Sequence, residues 1–349
     1  MRVRSTTTGI ACAALLAASA LGGAAPAQTT DYSIIARWQT GGLGGWDYLT
    51  IDAPRHRLFV SRGDHVDVLD TESGKVTATI NGTAGVHGIA LAPELKRGFT
   101  SNGRANTVTE FDYDTLAVLR EVPVPGLNPD AILYDRASHR LFTFNGRSKD
   151  ATVFDAATLA VVAKLPMPDK PEFAVSDDHG HVFVNIESEA GQLLEIDAKS
   201  AKTVATWPMP GCASPSGLAL DAKHARLFSV CDNRVLVVTD ANSGKQVTRI
   251  AIGEGPDAAA YDSSRSLVFS SNGDGTLTIA AQQTPDLYRP VTSLATQRGA
   301  RTMALDPVTG RVYLASADFG PAPPATAEQP HPRPAPVPGT FTILVAAPK

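Results

Sequence analysis

The sequence is poor in cysteine and tryptophan, with three of each among 349 residues. It also has no excess of positive charge. The formal net charge is −4, and it becomes −6 when the first 27 residues, with Arg2 and Arg4, are set aside. That balance gives no electrostatic reason to bind nucleic acid or an anionic membrane. Beyond the first 27 residues no run is apolar for long enough to span a bilayer, so the sequence predicts no membrane span.

The motifs of several common enzyme chemistries are absent as well. The chain has no Gly-x-Ser-x-Gly elbow, no His-Glu-x-x-His, no Cys-x-x-Cys-His haem attachment and no phosphate-binding glycine loop that opens a helix. Residues 41–45 are rich in glycine, but no helical pattern follows them, so they are interpreted as a connection between strands. These absences favour a binding protein over an enzyme.

The first residues have the features of a secretory signal peptide. Arg2 and Arg4 precede an apolar, alanine-rich run over residues 10–21, and Ala25-Pro26-Ala27 fits a small-x-small cleavage site. We therefore expect residues 1–27 to be removed near Ala27. Residues 28–349 are then expected to form a single domain that is periplasmic or secreted.

Two cysteines, Cys212 and Cys231, remain in the predicted mature chain, which suits an oxidising compartment. They flank two strand-like runs, residues 217–221 and 226–230, that are expected to pair as a hairpin. The thiols can then meet, and the sequence predicts a Cys212–Cys231 disulfide. The alternative is a pair of buried free thiols.

What the sequence does contain is a repeat of short strand-like runs. Its clearest marker is one aromatic residue in the second strand of each unit, at intervals of 40 to 45 residues: Phe59, Phe99, Phe142, Phe183, Phe228, Phe269 and Tyr313. A period in this range with several short strands per unit is typical of a β-propeller. We predict an all-β, seven-bladed β-propeller with four-stranded antiparallel blades.

The last unit supplies three strand-like runs instead of four, and a proline-rich segment, residues 321–338, separates its second and third runs. A spare strand-like run, residues 32–38, precedes the first complete unit. We predict that this N-terminal strand completes the last blade and closes the ring. The segment 321–338 is expected to be a flexible or polyproline-like insertion, because its prolines cannot donate ladder hydrogen bonds.

Two turn patterns recur within the units. Asp-x-x-Ser/Thr appears at five corresponding places, beginning at Asp70, Asp112, Asp155, Asp197 and Asp240. An aspartate here can accept hydrogen bonds from the amides of its own turn. Asn-Gly pairs at 102–103, 145–146 and 272–273 are interpreted as tight turns in which both residues tolerate positive φ.

The repeats resemble the YVTN-type, YncE-like propellers of exported proteins, and the likeness covers nearly all of the mature chain. The Tyr-Val-Thr-Asn strand is represented by Val-Tyr-Leu-Ala-Ser at 312–316 and Val-Phe-Val-Asn at 182–185, with phenylalanine replacing tyrosine in six of seven units. The resemblance implies a seven-bladed periplasmic or extracellular propeller. It implies no particular reaction, because several members are thought to be binding modules and fold alone does not define function.

In such a ring, the residues that open the innermost strands should surround one mouth of the central channel. These residues are Asp47, His87, Asp130, Glu172, Ser216, Asp257 and Arg301. Trp46 and Tyr48 flank the first of them and are candidate stacking surfaces. The structural alternative is that these polar residues bind the backbone of neighbouring blades or solvate the funnel. The ligand-binding alternative is a pocket with convergent polar groups.

Two functions follow from this reading. The first is a non-enzymatic, monomeric exported protein that binds a small molecule or a protein partner through the channel mouth, with no cofactor. The second is a metal-dependent hydrolase or lactonase, for which the carboxylates of Asp47, Asp130, Glu172 and Asp257 suit Ca²⁺. The sequence lacks the Asn/Glu/Asp motif set of calcium-dependent lactonase propellers, and no residue is assigned a catalytic role.

Overall fold

The computed structural model describes residues 1–3, 31–324, 326, 332 and 334–349. Residues 4–27 of the predicted signal peptide, and residues 325, 327–331 and 333 of the proline-rich segment, lie outside this part. The described chain is all-β, with 27 strands, two short 3₁₀ turns (Ala53–Arg55 and Pro93–Leu95) and no α-helix. In this part of the chain no helix is long and apolar enough to cross a membrane.

The strands form six antiparallel sheets, five of four strands and one of seven. The seven-stranded sheet holds β2 (Leu49–Asp52), β3 (Arg57–Ser61), β4 (Gly63–Asp70), β5 (Val76–Ala92), β6 (Arg97–Asn102), β7 (Thr107–Asp112) and β8 (Val118–Pro123). The next sheet holds β9 (Pro129–Asp135), β10 (Arg140–Asn145), β11 (Asp150–Asp155) and β12 (Val161–Pro166). It is followed by the sheet of β13 (Lys170–Ser176), β14 (His181–Glu187), β15 (Gln192–Asp197) and β16 (Lys202–Pro208).

Two further four-stranded sheets follow the same order along the chain. One holds β17 (Pro215–Asp221), β18 (Arg226–Cys231), β19 (Val235–Asp240) and β20 (Gln246–Ala251), and the other holds β21 (Pro256–Asp262), β22 (Leu267–Asn272), β23 (Thr276–Thr284) and β24 (Leu287–Ala295). The last sheet joins β25 (Thr302–Leu305), β26 (Val312–Ser316) and β27 (Thr342–Pro348) to β1 (Tyr32–Gln39).

The sheets are arranged in a closed circle. The inner strands β5, β9, β13, β17, β21 and β25 each lie beside the next, and β2 lies beside both β25 and β5. The fold is therefore propeller-like, with the inner strands around a central axis. Their packing is close at this axis: a Cβ atom on Gly217 would lie 2.6 Å from the carbonyl oxygen of Asp257 in the neighbouring sheet.

The seven-stranded sheet arises because β5 serves two neighbours. Its first half pairs with β4, and its second half pairs with β6. Between the halves, Gly82 and Gly85 adopt φ values of 80° and 75°. Such backbone angles are accessible to glycine at little cost, so the chain can turn from an outer position into an inner one without leaving extended hydrogen-bonded structure.

The strand at the start of the described domain completes the sheet formed at its end, as the sequence predicted. β1 pairs antiparallel with β27, from Tyr32 opposite Pro348 to Gln39 opposite Thr342. Tyr32 is 2% exposed, packs edge-on against Phe269 at 5.4 Å between ring centroids, and donates its hydroxyl to the Gly310 carbonyl at 3.0 Å. The contacts thus join β1 to two sheets.

The core lies between the faces of adjacent sheets. All seven repeat-marking aromatics are buried: Phe59, Phe99, Phe142, Phe183, Phe228, Phe269 and Tyr313. The predicted aspartate turns are also confirmed. In the first of them, Asp70 Oδ1 accepts hydrogen bonds from the Ser73 amide at 2.7 Å and the Ser73 hydroxyl at 2.6 Å, and the other four turns have the corresponding amide contact.

The interpretation of the Asn-Gly pairs was wrong. None of their residues has a positive φ. Asn102, Asn145 and Asn272 are instead fully buried, and each donates its side-chain amide to neighbouring side-chain oxygens, as Asn102 does to Thr109 Oγ1 at 2.8 Å. The glycine that follows Asn102 leaves room for a side chain of its own sheet, because a Cβ on Gly103 would lie 2.6 Å from Nε2 of His87 on β5, the strand that pairs with β6.

The Cys212–Cys231 disulfide is present, with an S–S distance of 2.01 Å and a Cα–Cα distance of 5.3 Å. Cys212 precedes β17 and Cys231 ends β18, so the hairpin brings the two sulfurs together as predicted. Residues just before the proline-rich segment pair with its last residues: Phe319 forms a β-bridge with Pro336, and the Val337 amide donates to the Asp318 carbonyl at 2.7 Å.

Candidate functional site

A cavity of about 480 Å³ lies where the inner strands begin. Six of the seven predicted channel-mouth residues line it: Asp47, Asp130, Glu172, Ser216, Asp257 and Arg301. His87 is outside its lining but contacts two of these residues, as described below. The structure therefore brings six of these seven side chains together around one cavity.

The local cause of this convergence is a repeated irregularity in strand pairing. The register between the inner strand and its neighbour shifts at the start of β9, β13, β17 and β21, and at the corresponding point of β5. The shifts fall at His87, Asp130, Glu172, Ser216 and Asp257. β-Bulges of this kind leave a residue outside the ladder and re-aim its side chain, which is how strand residues come to line the cavity.

The sequence contains a signal for these bulges that was missed. In four repeats a proline directly precedes the cavity residue: Pro129-Asp130, Pro171-Glu172, Pro215-Ser216 and Pro256-Asp257. Proline has no amide hydrogen to give to a ladder and is confined to strand starts, edges and bulges. A proline followed by a polar residue at a fixed place in the repeat therefore marks the entry to each inner strand.

On one side of the cavity, Asp47, His87 and Asp130 lie together. His87 Nδ1 is 2.6 Å from Asp47 Oδ2 and 3.7 Å from Asp130 Oδ1. Burial alone would lower the pKa of His87, but the hydrogen bond with Asp47 and the negative charge of Asp130 outweigh it and raise this pKa. The imidazole is thus held in a strongly negative environment, because it faces two carboxylates.

Lys170 forms a second cluster, which the sequence reasoning missed. Its Nζ donates to Glu172 Oε1 at 2.7 Å and to Glu187 Oε2 at 2.5 Å, and both partners raise the pKa of Lys170 against the effect of burial. Burial and the charge of Asp130 raise the pKa of Glu172, whereas the hydrogen bonds from Lys170 and Glu172 lower that of Glu187. The two pKa values shift in opposite directions, so Glu172 is protonated more readily than Glu187.

The other two lining residues that were predicted have partners in the protein. Arg301 Nε lies 3.4 Å from Asp257 Oδ2. The Ser216 hydroxyl donates to the Pro256 carbonyl at 3.2 Å, which is a contact with the backbone of the next blade. The structural alternative therefore holds for Ser216, while Arg301 and Asp257 keep charged groups at the cavity wall.

An aromatic pair contributes to the same cavity. Tyr48 and Phe173 both line it and stack on each other, with ring centroids 5.4 Å apart and an interplanar angle of 27°. Burial raises the pKa of the Tyr48 hydroxyl well above its usual value, and the charges of Asp130, Glu172, Asp47 and Asp257 raise it further. The Tyr48 hydroxyl therefore stays protonated and reports a negative potential in the cavity.

Trp46 does not lie at the central cavity, where its place beside Asp47 in the sequence predicted it. It is not among the residues that line the central cavity. Its ring packs on Phe341 and Phe319, with centroids 5.2 Å and 6.2 Å away, and so belongs to the junction with the last sheet. Trp46 also borders a second hollow of about 450 Å³ that Asp47, His87, Arg104 and Arg147 line.

The charges of the central cavity are unequal in sign. Seven carboxylate residues line it (Asp47, Asp130, Glu172, Glu187, Asp232, Glu254 and Asp257), against two cationic residues, Lys170 and Arg301. Carboxylates in such proximity repel one another and favour a bound cation or a shared proton. The arrangement is chemically suited to a cationic ligand whose apolar part contacts Tyr48 and Phe173.

The fold and the site together define an all-β, propeller-like protein with a polar central cavity. No family model matches the sequence, and no curated protein matches it either. Among solved structures, Kuenenia stuttgartiensis hydrazine synthase is similar, with a TM-score of 0.66 and 17% sequence identity over 78% of this chain and 92% of that chain. At this identity the likeness supports the fold alone.

Proposed function

We propose that this chain is an exported, seven-bladed β-propeller of the YVTN type that binds a ligand in its central cavity without transforming it. The count of seven follows if β5 is taken as the outer strand of one blade and the inner strand of the next. The Cys212–Cys231 disulfide supports export, because such bonds persist mainly in oxidising compartments. Residues 1–27 would then be the cleaved signal peptide.

The observation that carries the binding function is the convergence of six strand-opening residues from six repeats on one cavity. Concave sites with a few convergent polar groups are where small ligands bind in most proteins. The excess of carboxylates and the Tyr48–Phe173 pair favour a small organic cation, or a basic side chain of a partner protein. Asp130 and Asp257, on two sides of the cavity, are the residues expected to contact it.

The test is the double substitution Asp130→Asn with Asp257→Asn. A matched control is Glu72→Gln with Asp114→Asn, which changes the charge equally at the turns that follow β4 and β7, on the opposite rim. A thermal-shift panel of amines, amino acids and sugars identifies binders of the wild type, and pull-down from a periplasmic extract tests for a protein partner. Loss of a charged hydrogen bond should weaken binding at least about tenfold in the cavity variant and leave the control unchanged.

If the cavity variant instead fails to fold while the control folds, the acids are structural contacts between blades and the binding proposal is wrong. Equal binding by wild type, cavity variant and control would place the ligand elsewhere.

A second candidate function is supported by the Asp47–His87–Asp130 group, since a histidine and two carboxylates can hold a metal that activates water. A metal-dependent hydrolase or lactonase would cleave members of an ester and lactone panel. It would lose that activity in His87→Gln and after removal of metal with a chelator. Turnover by the wild type that is abolished in both cases would replace the binding-module proposal.

A further inference from the structure

We propose that Asp47, His87 and Asp130 form a binding site for one divalent transition-metal ion, at the border between the central cavity and the second hollow. The inference rests on the proposed function only in that the ion would occupy the wall of the same cavity. It differs from the sequence-based expectation of calcium, which drew on Asp47, Asp130, Glu172 and Asp257.

The distances among the three side chains suit an ion of this size. One potential ligand atom from each residue lies within 4.8 Å of the other two, and the pairs that include His87 Nδ1 are separated by 2.6 Å and 3.7 Å. Metal–ligand bonds of about 2.0–2.2 Å at tetrahedral angles place neighbouring ligand atoms roughly 3.3–3.6 Å apart. Small side-chain rotations are therefore sufficient, and the ion takes the place of the proton between His87 and Asp47.

The charge of Asp130 gives an independent reason for a cation. Its side chain is only 13% exposed, and its one ion-pair contact with any described residue is His87, at 3.7 Å. No described side chain or amide donates a hydrogen bond to its carboxylate, whereas Glu172 and Glu187 share the Lys170 ammonium. A buried carboxylate without such partners is costly, and a dication between Asp47 and Asp130 would offset that cost.

The ligand atoms, one imidazole nitrogen and two carboxylates, indicate which kind of metal the site would bind. Calcium sites in proteins are built from six to eight oxygen ligands, whereas imidazole together with carboxylates suits zinc, iron or manganese. Three protein ligands leave coordination positions open, as in catalytic rather than structural sites. Because Asp47 and Asp130 both line the central cavity, a bound ligand with a donor atom could complete the coordination sphere.

The imidazole of His87 occupies the space that a side chain at Gly103, directly after β6, would need. A Cβ on Gly103 would lie 2.6 Å from His87 Nε2 and 2.7 Å from His87 Cδ2. Gly103 does not have a positive φ, so Gly103→Ala introduces a steric displacement of the imidazole without backbone strain. This substitution changes the position of a ligand while all three ligands are kept.

The test uses the full mature protein without a histidine tag, stripped with a chelator and titrated separately with Zn²⁺, Mn²⁺ and Ca²⁺ in a calorimeter. We expect one transition-metal ion per chain and at least tenfold weaker binding of calcium. His87→Gln and Asp130→Asn should each lower the affinity at least tenfold, and Gly103→Ala should lower it while preserving the fold by circular dichroism. The visible spectrum of bound Co²⁺ should change in His87→Gln, because a nitrogen ligand is lost.

His181→Gln is the matched control, since His181 Nδ1 also lies 2.7 Å from a carboxylate, that of Glu195, but its imidazole forms no ion pair with a second acid among the described residues. It should bind metal as the wild type does. Unchanged affinity in His87→Gln, or an equal loss in His181→Gln, would overturn the proposed site. Binding of an organic ligand that depends on Asp257 but not on metal would support the proposed function while the metal inference fails.

Discussion

The closure of the ring by β1 predicts a large, localised effect of Tyr32→Ala. Tyr32 is 2% exposed, so the substitution removes a buried ring, its edge-on contact with Phe269 and its hydrogen bond to Gly310. Truncation of a large buried aromatic costs about 3–5 kcal/mol. Since whole proteins are stable by only about 5–15 kcal/mol, this is a substantial part of the total. Tyr32→Phe removes the hydrogen bond alone and should cost about 0.5–1.5 kcal/mol.

The three tryptophans allow the site of unfolding to be followed in urea. Trp38 lies on β1, 5.6 Å from Tyr313 between ring centroids, and Trp46 packs on Phe341, which directly precedes β27 of the same sheet. Trp207 lies on β16, in a different sheet. In a Trp207→Phe background the fluorescence reports the closure, and in a background with Trp38→Phe and Trp46→Phe it reports the far side.

We expect Tyr32→Ala to lower the urea midpoint in the Trp38 and Trp46 signal first, because a released β1 leaves β27 as an unpaired edge. Such edges promote association, so deletion of residues 31–40 should also give oligomers in size-exclusion chromatography. A Tyr32→Ala variant with the wild-type midpoint, or a deletion variant that remains monomeric and equally stable, would falsify the closure by β1.

Three further predictions concern the framework. Replacing Cys212 and Cys231 by serine opens a loop with a sequence separation of 19 residues and should cost about 3 kcal/mol, measured by urea unfolding with and without reductant; no difference between wild type and variant would contradict it. Burial raises the pKa of Asp221, but hydrogen bonds from Gln282 and His224 outweigh it and lower this pKa below its unfolded value. Its contribution is therefore present above the unfolded pKa of about 3.9 and is lost as the pH falls, so Asp221→Asn should reduce the drop in melting temperature between pH 6 and pH 3, and an unchanged drop would count against it. Alanine at Gly74 would place a Cβ 2.2 Å from Trp38, and alanine at Gly244 would place one 2.1 Å from Trp207. Both substitutions should lower the free energy of unfolding more than Gly180→Ala, because Gly180 has a positive φ but open space around it. Equal losses of stability in all three variants would leave backbone strain as the sole cause.

The fold was largely predictable because its signal is repeated. Seven buried aromatics at a regular spacing and five aspartate turns each indicate the same repeated sheet. An error in the interpretation of one unit therefore does not alter the predicted fold. The Asn-Gly pairs failed because residue type alone cannot distinguish a turn from a close approach. Asn102 is buried and bonded to Thr109, and its glycine is needed to make room for His87; both facts depend on contacts with the paired strands β7 and β5, which residue type alone does not encode.

The site was predictable in position and not in chemistry. Counting along each repeat placed Asp130, Glu172 and Asp257 at one mouth, but it could not show that Lys170 turns into the cavity between two glutamates. Nor could it show that Trp46 packs on the last sheet. Those outcomes depend on side-chain directions set by bulges and by blade-to-blade packing, which the order of residues along the chain does not encode locally.

The two sides of the cavity differ in how their charges are compensated, and this difference connects the framework to function. Around Lys170, one ammonium donates hydrogen bonds to both glutamates, so each of these carboxyl groups has a cationic partner within the protein. Around His87, two carboxylates face one imidazole, and Asp130 is left without a hydrogen-bond donor among the described residues. Both groups sit on equivalent bulges, so the ring geometry itself does not distinguish them. The two groups differ in the residue types at the bulges. An external cation is therefore expected to bind beside His87 and Asp130, where the negative charge has fewer partners in the protein.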